Sequence, residues 1–330
     1  MHVNINKLKK MGEFMIKDVI TFGEAMGMLI AEETGDLSEV KTFSKNMAGA
    51  ETNVAIGLAR LGLKVGWVGR LGNDTFGRYI IETLKKEQVD VSNVPLIQTH
   101  STGFLLKSKT LKGDPDVEYF RKFSAGSTLS VEDYNTDYFA SSKHMHVTGI
   151  PAALSASARE FSVYVMDEMK KQGKTISFDP NLRPSLWKSE NEMVEVINSL
   201  AFKADFVFPG ISEGKILTGY DKASDIADYY LNKGVKLVVI KVGKEGAYYK
   251  TKEEEGFVPG FKVEKVVDTV GAGDGFAVGV TSALLEGLTI KEAVRRGNAI
   301  GALAVMSPGD KDGLPSRDGL NKFLEEASMN

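Results

Sequence analysis

Residues 268–274 bring two carboxylates and two glycines together just before an apolar stretch at 275–285. The segment reads DTVGAGD, and Gly271 and Gly273 permit a tight turn. The first amides of the helix that should follow lack intrahelical partners, so with the helix dipole they form an anion site. A carboxylate at Asp274 would repel a bound phosphate, unless it takes a proton from an attacking hydroxyl. The pattern therefore indicates phosphate transfer to an alcohol, and an N-capping aspartate is the structural alternative.

A second turn could hold a polar ligand at another helix start. Residues 48–53 read AGAETN and precede the helix-like segment 54–61. Gly49 would let a ligand approach the backbone closely. Asn53 can both donate hydrogen bonds to sugar hydroxyls and accept them. An ordinary helix cap with acidic first-turn residues is the alternative.

Two arginines follow or lie within predicted strands. Arg183 belongs to the segment DPNLRP at 179–184, directly after a strand-like run, and ligands bind at strand carboxyl ends in parallel sheets. Arg121 lies beside Tyr119 in a predicted hairpin. Two arginines in one pocket favour a carboxylate or phosphate, because each can bind it with two hydrogen bonds. Unrelated surface ion pairs are the commoner fate of a single arginine.

Three further features suit a nucleotide and its metal, although each taken singly is more often structural. Residues 241–246 (KVGKEG) follow an apolar strand and could form a nucleotide wall. Glu213 could order a hydrated Mg²⁺, and Asn298 could face an adenine. The four histidines have no metal-ligand spacing and are assigned no chemistry.

The elements that would position these residues alternate between strand and helix. A strand at 16–22, a helix at 51–61, a strand at 64–69 and a helix at 75–88 predict a parallel sheet. The alternation resumes after residue 130. Further strands are expected at 143–147, 175–179, 206–208 and 237–242, and a hairpin at 247–263. Further helices are expected at 156–172, 190–202, 225–233, 273–286 and 290–306, and a last one from Arg317.

The interruption before residue 130 predicts a small β lid. Residues 102–110 and 117–123 have mixed apolar and basic patterns that indicate an antiparallel hairpin with one wet face. We expect the lid to comprise about residues 26–48 and 98–124. Because an exposed β face invites pairing, we also expect a homo-oligomer formed through the lid.

Composition excludes several classes of protein. The 330 residues have a net charge of −3, with 42% apolar and 26% charged residues, as in ordinary soluble proteins. The near-neutral balance argues against nucleic-acid binding, and no apolar run is long enough for a membrane span. The absence of cysteine removes disulfides and thiol catalysis and agrees with a cytoplasmic location. Residues 1–14 lack a secretory core and are interpreted as a tail, native or vector-derived, before one domain at 15–328.

Together, and in this order over about residues 15–325, the segments resemble the ribokinase-type (PfkB) carbohydrate kinases. Within that family, the segments GAETNVAIGLARLG, EYFRKFSAGS, FDPNLRPSLW and SPGDKDGLP are most similar to 2-keto-3-deoxygluconate kinases. The resemblance implies a ribokinase-like three-layer α/β/α sandwich with a mostly parallel central sheet. It also implies ATP-dependent phosphorylation of 2-dehydro-3-deoxy-D-gluconate at its 6-hydroxyl.

The resemblance also implies a role for each site residue. Asp274 would be the catalytic base, and the amides of Gly271, Ala272 and Gly273 would cradle the transferred phosphoryl group. The sugar acid would be bound by Gly49, Asn53, Tyr119, Arg121, Arg183, Asp274 and Asp310. The ATP site would be lined by Ile211, Ser212, Glu213, Lys241, Gly243, Gly246, Gly271, Gly273 and Asn298. Glu213 would reach Mg²⁺ through water, and the pattern at Asp268 suggests a monovalent-cation loop, which makes K⁺ a further candidate cofactor.

Two positions depart from the family pattern. Gly210 stands where many members have asparagine, which affects the expected Mg²⁺ shell, and Leu105 stands where relatives often have a tyrosine near the sugar. A fructokinase or another neutral-sugar kinase is the alternative within the same reaction class, because Asp-Pro-Asn before Arg183 also suits such enzymes. A nucleoside kinase would need a more apolar pocket, and the intact Asp274 argues against a non-catalytic sugar sensor.

Overall fold

The computed structural model describes residues 16–110, 115–307 and 309–327, so the predicted tail at 1–14 lies outside the described residues. The strands are β1 Lys17–Phe22, β2 Met26–Thr34, β3 Phe43–Ala48, β4 Val65–Val68, β5 Leu71–Gly72, β6 Leu96–Ile97, β7 Phe104–Lys109, β8 Val117–Phe120, β9 Ser142–Thr148, β10 Thr175–Asp179, β11 Phe206–Val207, β12 Leu237–Lys241, β13 Gly246–Lys250 and β14 Glu255–Pro259. The helices are α1 Ala50–Arg60, α2 Thr75–Lys86, α3 Thr136–Ala140, α4 Ile150–Leu154, α5 Ala156–Lys171, α6 Glu190–Ala201, α7 Ile211–Thr218, α8 Ala223–Leu231, α9 Ala272–Leu285, α10 Ile290–Ala304 and α11 Arg317–Glu326.

A mostly parallel central sheet forms the middle of the molecule, as the alternation of strands and helices predicts. Its eight strands follow the order β14-β13-β12-β11-β10-β9-β1-β4. The pairs from β12 through β4 are parallel, and only the β12–β13 and β13–β14 pairs are antiparallel. The carboxyl ends of the parallel strands therefore meet at one edge, where Thr148, Asp179 and Lys241 end β9, β10 and β12.

The sheet separates two helical layers, because side chains along a strand alternate between its faces. Val19 of β1 packs in a buried cluster with residues of α1, α2, α9, α10 and α11. Its neighbour Ile20 packs in a second cluster with residues of α5, α6 and α8. The predicted three-layer α/β/α arrangement is confirmed.

The predicted lid is a separate four-stranded sheet with the order β3-β2-β7-β8. Strands β2 and β7 are parallel, whereas β2–β3 and β7–β8 are antiparallel. Its small buried core consists of Met26, Met28, Ala48 and Leu105. All four strands fall within the ranges expected from the sequence.

Three short helices, α3, α4 and α7, were not predicted. They contain five to eight residues, too few for a helical period to stand out in the sequence. Within the part of the chain that the structure describes, no helix has the length and apolarity needed to cross a bilayer.

Candidate active site

A cavity of about 290 Å³ lies between the lid and the carboxyl edge of the central sheet. Every residue expected to bind the sugar acid lines it, although these residues come from the lid, two helix starts and loops far apart in the sequence. They are Gly49, Asn53, Tyr119, Arg121, Arg183, Asp274 and Asp310. The sequence prediction of one shared pocket is therefore reproduced in the geometry.

Asp274 lies in the first turn of α9 and is 8% exposed. Asn53 Nδ2 donates a hydrogen bond to its Oδ2 at 2.8 Å, and Asn181 Nδ2 donates to its Oδ1 at 3.4 Å. Burial raises the pKa of Asp274 to about 7, against the lowering effect of the Asn53 amide, and the Asp179 carboxylate raises it further. A carboxyl group with this pKa can accept a proton near neutral pH.

The turn before α9 depends on a glycine in the left-handed region. Gly271 is the N-cap of α9 and has φ of +83°. A Cβ at this position would lie 2.4 Å from the carbonyl oxygen of Asp310, which no side chain tolerates. The turn therefore brings the backbone amides at the start of α9 to the cavity, where the helix dipole favours an anion.

A second cavity of about 790 Å³ lies on the other side of this turn and has a mostly apolar lining. It shares Lys241, Thr269 and Gly273 with the sugar-side cavity. Of the residues expected at the ATP site, it contains Lys241, Gly243, Gly246, Gly273 and Asn298, and Ala272 also lines it. Its volume and apolar walls suit a nucleoside, with the phosphates directed at the glycine-rich turn.

Asn298 lines the second cavity, but its side-chain amide is already used. Its Nδ2 donates to the carbonyl oxygens of Val258 and Pro259 at 3.0 and 3.1 Å. Asn298 therefore holds the end of β14 at the cavity wall, which is the structural alternative stated for it above. Its contact with an adenine stays a prediction.

The three residues expected at the ATP site from the start of α7 have different surroundings. Ile211 is partly buried and packs against the core, whereas Ser212 is exposed, and neither is among the described residues that line the two cavities. Glu213 lines the sugar-side cavity. The placing of Ile211 and Ser212 at the ATP site stays a prediction.

Glu213 acts first as a backbone cap. Its Oε1 accepts a hydrogen bond from the amide of Leu182 at 2.8 Å, and its Oε2 accepts one from the amide of Gly210 at 2.7 Å. Both oxygens therefore have a backbone partner, and each keeps one further lone pair. Contact through a water molecule, on the remaining lone pairs, fits the arrangement and agrees with the reluctance of Mg²⁺ to lose its waters.

Lys241 and Asp179 form an ion pair at the junction of the two cavities. Nζ lies 2.8 Å from Asp179 Oδ2, and both side chains are largely buried. Burial alone would lower the pKa of Lys241, but the negative charges of Asp179 and Glu213 keep it raised. The ammonium therefore stays charged beside Gly273, where the phosphate would lie.

The two predicted arginines both line the sugar-side cavity, with different partners. Arg121 Nε donates to Glu24 Oε2 at 2.8 Å, and its guanidinium lies 5.6 Å from the centre of the Tyr119 ring. Arg183 Nη1 donates to the carbonyl oxygen of Leu182 at 2.9 Å. Arg121 is thus oriented by a buried acid, whereas Arg183 keeps more freedom at the cavity mouth.

Sequence reasoning missed the acidic partners Glu24 and Glu51. Glu24 follows the end of β1, a strand-end position that could have pointed to the site. Glu51 is buried in the cavity wall, accepts a hydrogen bond from the Thr148 hydroxyl, and has its pKa raised by burial to about 7. Both residues line the sugar-side cavity.

A buried lysine from the lid was also missed. Lys107 Nζ lies 2.5 Å from Asp268 Oδ2 and 3.0 Å from Asp310 Oδ1. Asp268 Oδ1 accepts a hydrogen bond from the amide of Val270 at 3.0 Å. Both oxygens of Asp268, the residue where the sequence suggested a monovalent-cation loop, therefore have partners within the protein.

Comparison with known proteins identifies the family. The family model described as pfkB family carbohydrate kinase matches residues 16–317. The chain belongs to this family. The 2-dehydro-3-deoxygluconokinase of Bacillus subtilis is 59% identical over 308 residues, which cover 93% of this chain and 95% of that protein.

Solved structures of pfkB-type kinases have the same fold. A PfkB protein from Polaromonas sp. JS666 superposes with a TM-score of 0.86 and 50% identity, over 92% of this chain and 99% of that one. A fructokinase double mutant from Vibrio cholerae O395, bound to fructose, ADP and potassium, has a TM-score of 0.83 and 30% identity, over 94% and 99% of the chains. The predicted ribokinase-like fold is therefore confirmed.

Proposed function

We propose that this kinase transfers the γ-phosphoryl group of ATP to the 6-hydroxyl of 2-dehydro-3-deoxy-D-gluconate. The observation that carries the proposal is the buried Asp274. It lines the polar cavity that contains the two arginines, and its neighbour Gly273 lines both this cavity and the larger apolar one. The 59% identity to the Bacillus subtilis enzyme supports the choice of sugar.

The sugar acid would bind with its carboxylate at the arginines and its 6-hydroxyl at Asp274. Arg121 and Arg183 favour an anionic sugar, since a neutral hexose offers them no charge partner. Asn53 supports this orientation, because its buried Oδ1 has no hydrogen-bond partner within the described protein and can accept one from a sugar hydroxyl.

The transfer needs positioning and charge stabilisation more than covalent help from the protein. Asp274 takes the proton as the hydroxyl oxygen attacks the γ-phosphorus, and the bond from that phosphorus to the bridging oxygen of ADP breaks. The amides around Gly271, Ala272 and Gly273 hold the charge on the moving group, and Lys241 adds a positive charge on the nucleotide side. Closure of the lid over the sugar excludes water and limits ATP hydrolysis.

Mg²⁺, bound with ATP, neutralises phosphate charge during such a transfer. We propose that Glu213 reaches it through water, since its two carboxylate oxygens are already engaged by backbone amides and Mg²⁺ keeps most of its waters. The K⁺ that the pattern at Asp268 suggested is not part of this proposal, because the Lys107 ammonium already contacts that carboxylate.

We further propose that the kinase is cytoplasmic and that two copies associate through their lids. The support for association is the exposure of the lid residues Tyr119, Phe120 and Phe123, which are 49%, 43% and 74% exposed. Sedimentation of wild type and Phe120→Ser would test association, and a monomeric wild type at assay concentrations would contradict it.

Substrate profiling tests the proposed function most directly. ADP release would be measured with 2-dehydro-3-deoxy-D-gluconate, its C4 epimer, fructose, ribose and adenosine. We expect kcat/KM for the keto-deoxy acid to exceed that for fructose by at least about 100-fold, because the neutral sugar offers the two arginines no carboxylate to bind. Asp274→Asn is the control for contaminating kinases. If kcat/KM for fructose instead exceeded that for the keto-deoxy acid by a similar factor, the neutral-sugar alternative would be established.

A further inference from the structure

Lys107 carries a positive charge from the lid into the interior of the protein. It belongs to lid strand β7, and the residue is only 3% exposed. An ammonium group at such depth is stable only with charged or hydrogen-bonding partners. Its partners are the carboxylates of Asp268 and Asp310, whose side chains are 5% and 9% exposed.

The two carboxylates belong to the two halves of the active site. Asp268 begins the glycine-rich turn and holds the amide of Val270 through Oδ1. Asp310 lines the sugar-side cavity, and its carbonyl oxygen lies where a Cβ on Gly271 would clash. One ammonium thus joins the anion-binding turn to the wall of the sugar pocket.

The strand that carries Lys107 also contacts the sugar site. Leu105 lines the cavity two residues earlier on β7, and side chains two residues apart share a face of a strand. Tyr119 on β8 pairs in register with Leu105 and lines the same cavity. The lid therefore contacts the sugar pocket and the catalytic turn through one rigid strand.

We propose that Lys107 is a positioning residue of the kinase, which locks the lid onto the catalytic turn and orients Asp310 towards the sugar. Lid closure and assembly of the anion-binding turn are then one event. The proposal rests on the proposed kinase function. It assigns Lys107 no contact with the reacting atoms, so its effect reaches the reaction through Asp268 and Asp310.

Lys107→Met tests this role, because methionine keeps a long apolar side chain and removes the charge. We expect kcat to fall about 50-fold and the sugar KM to rise about fivefold or more, while the KM for ATP stays within about twofold. Lys109→Met is the matched control, since Lys109 lies on the same strand, is exposed and donates only to the carbonyl oxygen of Glu32 among its described contacts. It should keep both constants within about twofold of wild type.

Lys107→Arg separates positioning from charge compensation. Arginine keeps the buried positive charge, so this variant should fold with a melting temperature near that of wild type. The larger planar guanidinium cannot reproduce the two ammonium contacts, so kcat should still fall about tenfold. Two results would overturn the proposal. The first is a kcat of Lys107→Arg equal to that of wild type. The second is a kcat and a sugar KM of Lys107→Met within about twofold of those of Lys109→Met, after correction for the folded fraction. Absence of turnover in wild type would instead refute the proposed function.

Discussion

Replacing Asp274 with asparagine should abolish turnover and stabilise the protein at the same time. Asp274 is 8% exposed, and burial raises its pKa from an ordinary 3.8 to about 7. Its native state therefore binds a proton more tightly than its unfolded state does. The stabilisation from that proton is fully present below the unfolded pKa of 3.8 and is lost as pH rises through 7. Above pH 7, the buried carboxylate destabilises the native protein.

The size of the effect follows from the pKa difference of about three units. Each unit corresponds to about 1.4 kcal/mol, so ionised Asp274 costs about 4 kcal/mol of unfolding free energy at pH 8. At pH 5 the cost is only about 1 to 2 kcal/mol, because the native carboxyl is mostly protonated. Asparagine mimics the neutral form and can still accept the hydrogen bond from Asn53. The stability advantage of the variant should therefore grow by about 3 kcal/mol from pH 5 to pH 8.

Urea unfolding of the ligand-free protein at pH 5, 6, 7 and 8 measures this difference. The buried Glu51, whose pKa is also raised to about 7, is present in both proteins and largely cancels in the comparison. Asp318→Asn is a matched control, because Asp318 is an exposed acid in the first turn of α11. That control should change stability by less than about 0.5 kcal/mol at every pH.

Two results would refute this reasoning. A variant no more stable than wild type at pH 8 would mean that Asp274 is solvated or paired in the native state. Turnover retained within about tenfold would mean that another group takes the hydroxyl proton. In wild type, kcat/KM should rise about tenfold per pH unit below pH 7, because only the ionised carboxylate acts as base.

The remaining predictions concern the arginines, the glycine turn and potassium. Arg121→Ala and Arg183→Ala should each raise KM for the keto-deoxy acid at least about tenfold and leave KM for fructose nearly unchanged. Steady-state kinetics with both sugars measure this, and an equal rise in KM for both sugars would contradict binding of the carboxylate by the two arginines. Gly271→Ala should lower kcat and melting temperature far more than Gly287→Ala, because both have φ near +80° but only the first meets a backbone oxygen. Replacing K⁺ with tetramethylammonium in the assay should change kcat by less than about twofold, because Lys107 already supplies a cation to Asp268; a loss of tenfold or more would favour the monovalent-cation loop.

The residues that carry the chemistry could be found in the sequence because their types and spacing are local. The segment 268–274 contains both the turn-forming glycines and the acid, so one helix start is enough to predict an anion site with a base. The parallel sheet could be predicted in the same way, because each buried strand and each amphipathic helix has its own periodic pattern. Short helices such as α7 lack such a pattern, so the helix that contains Ile211 and Ser212 could not be predicted from it.

The partners of those residues were decided only by the tertiary structure. Glu24 lies 97 residues from Arg121, and Lys107 lies 161 residues from Asp268 and 203 from Asp310. No local pattern links residues at such separations, since they meet only when the lid folds onto the sheet. The raised pKa of Asp274 has the same origin, because burial by elements distant in sequence, and not the identity of its neighbours, removes water from the carboxylate. The amino-acid sequence thus determined which groups could react, and the folded structure determined their charge state and orientation.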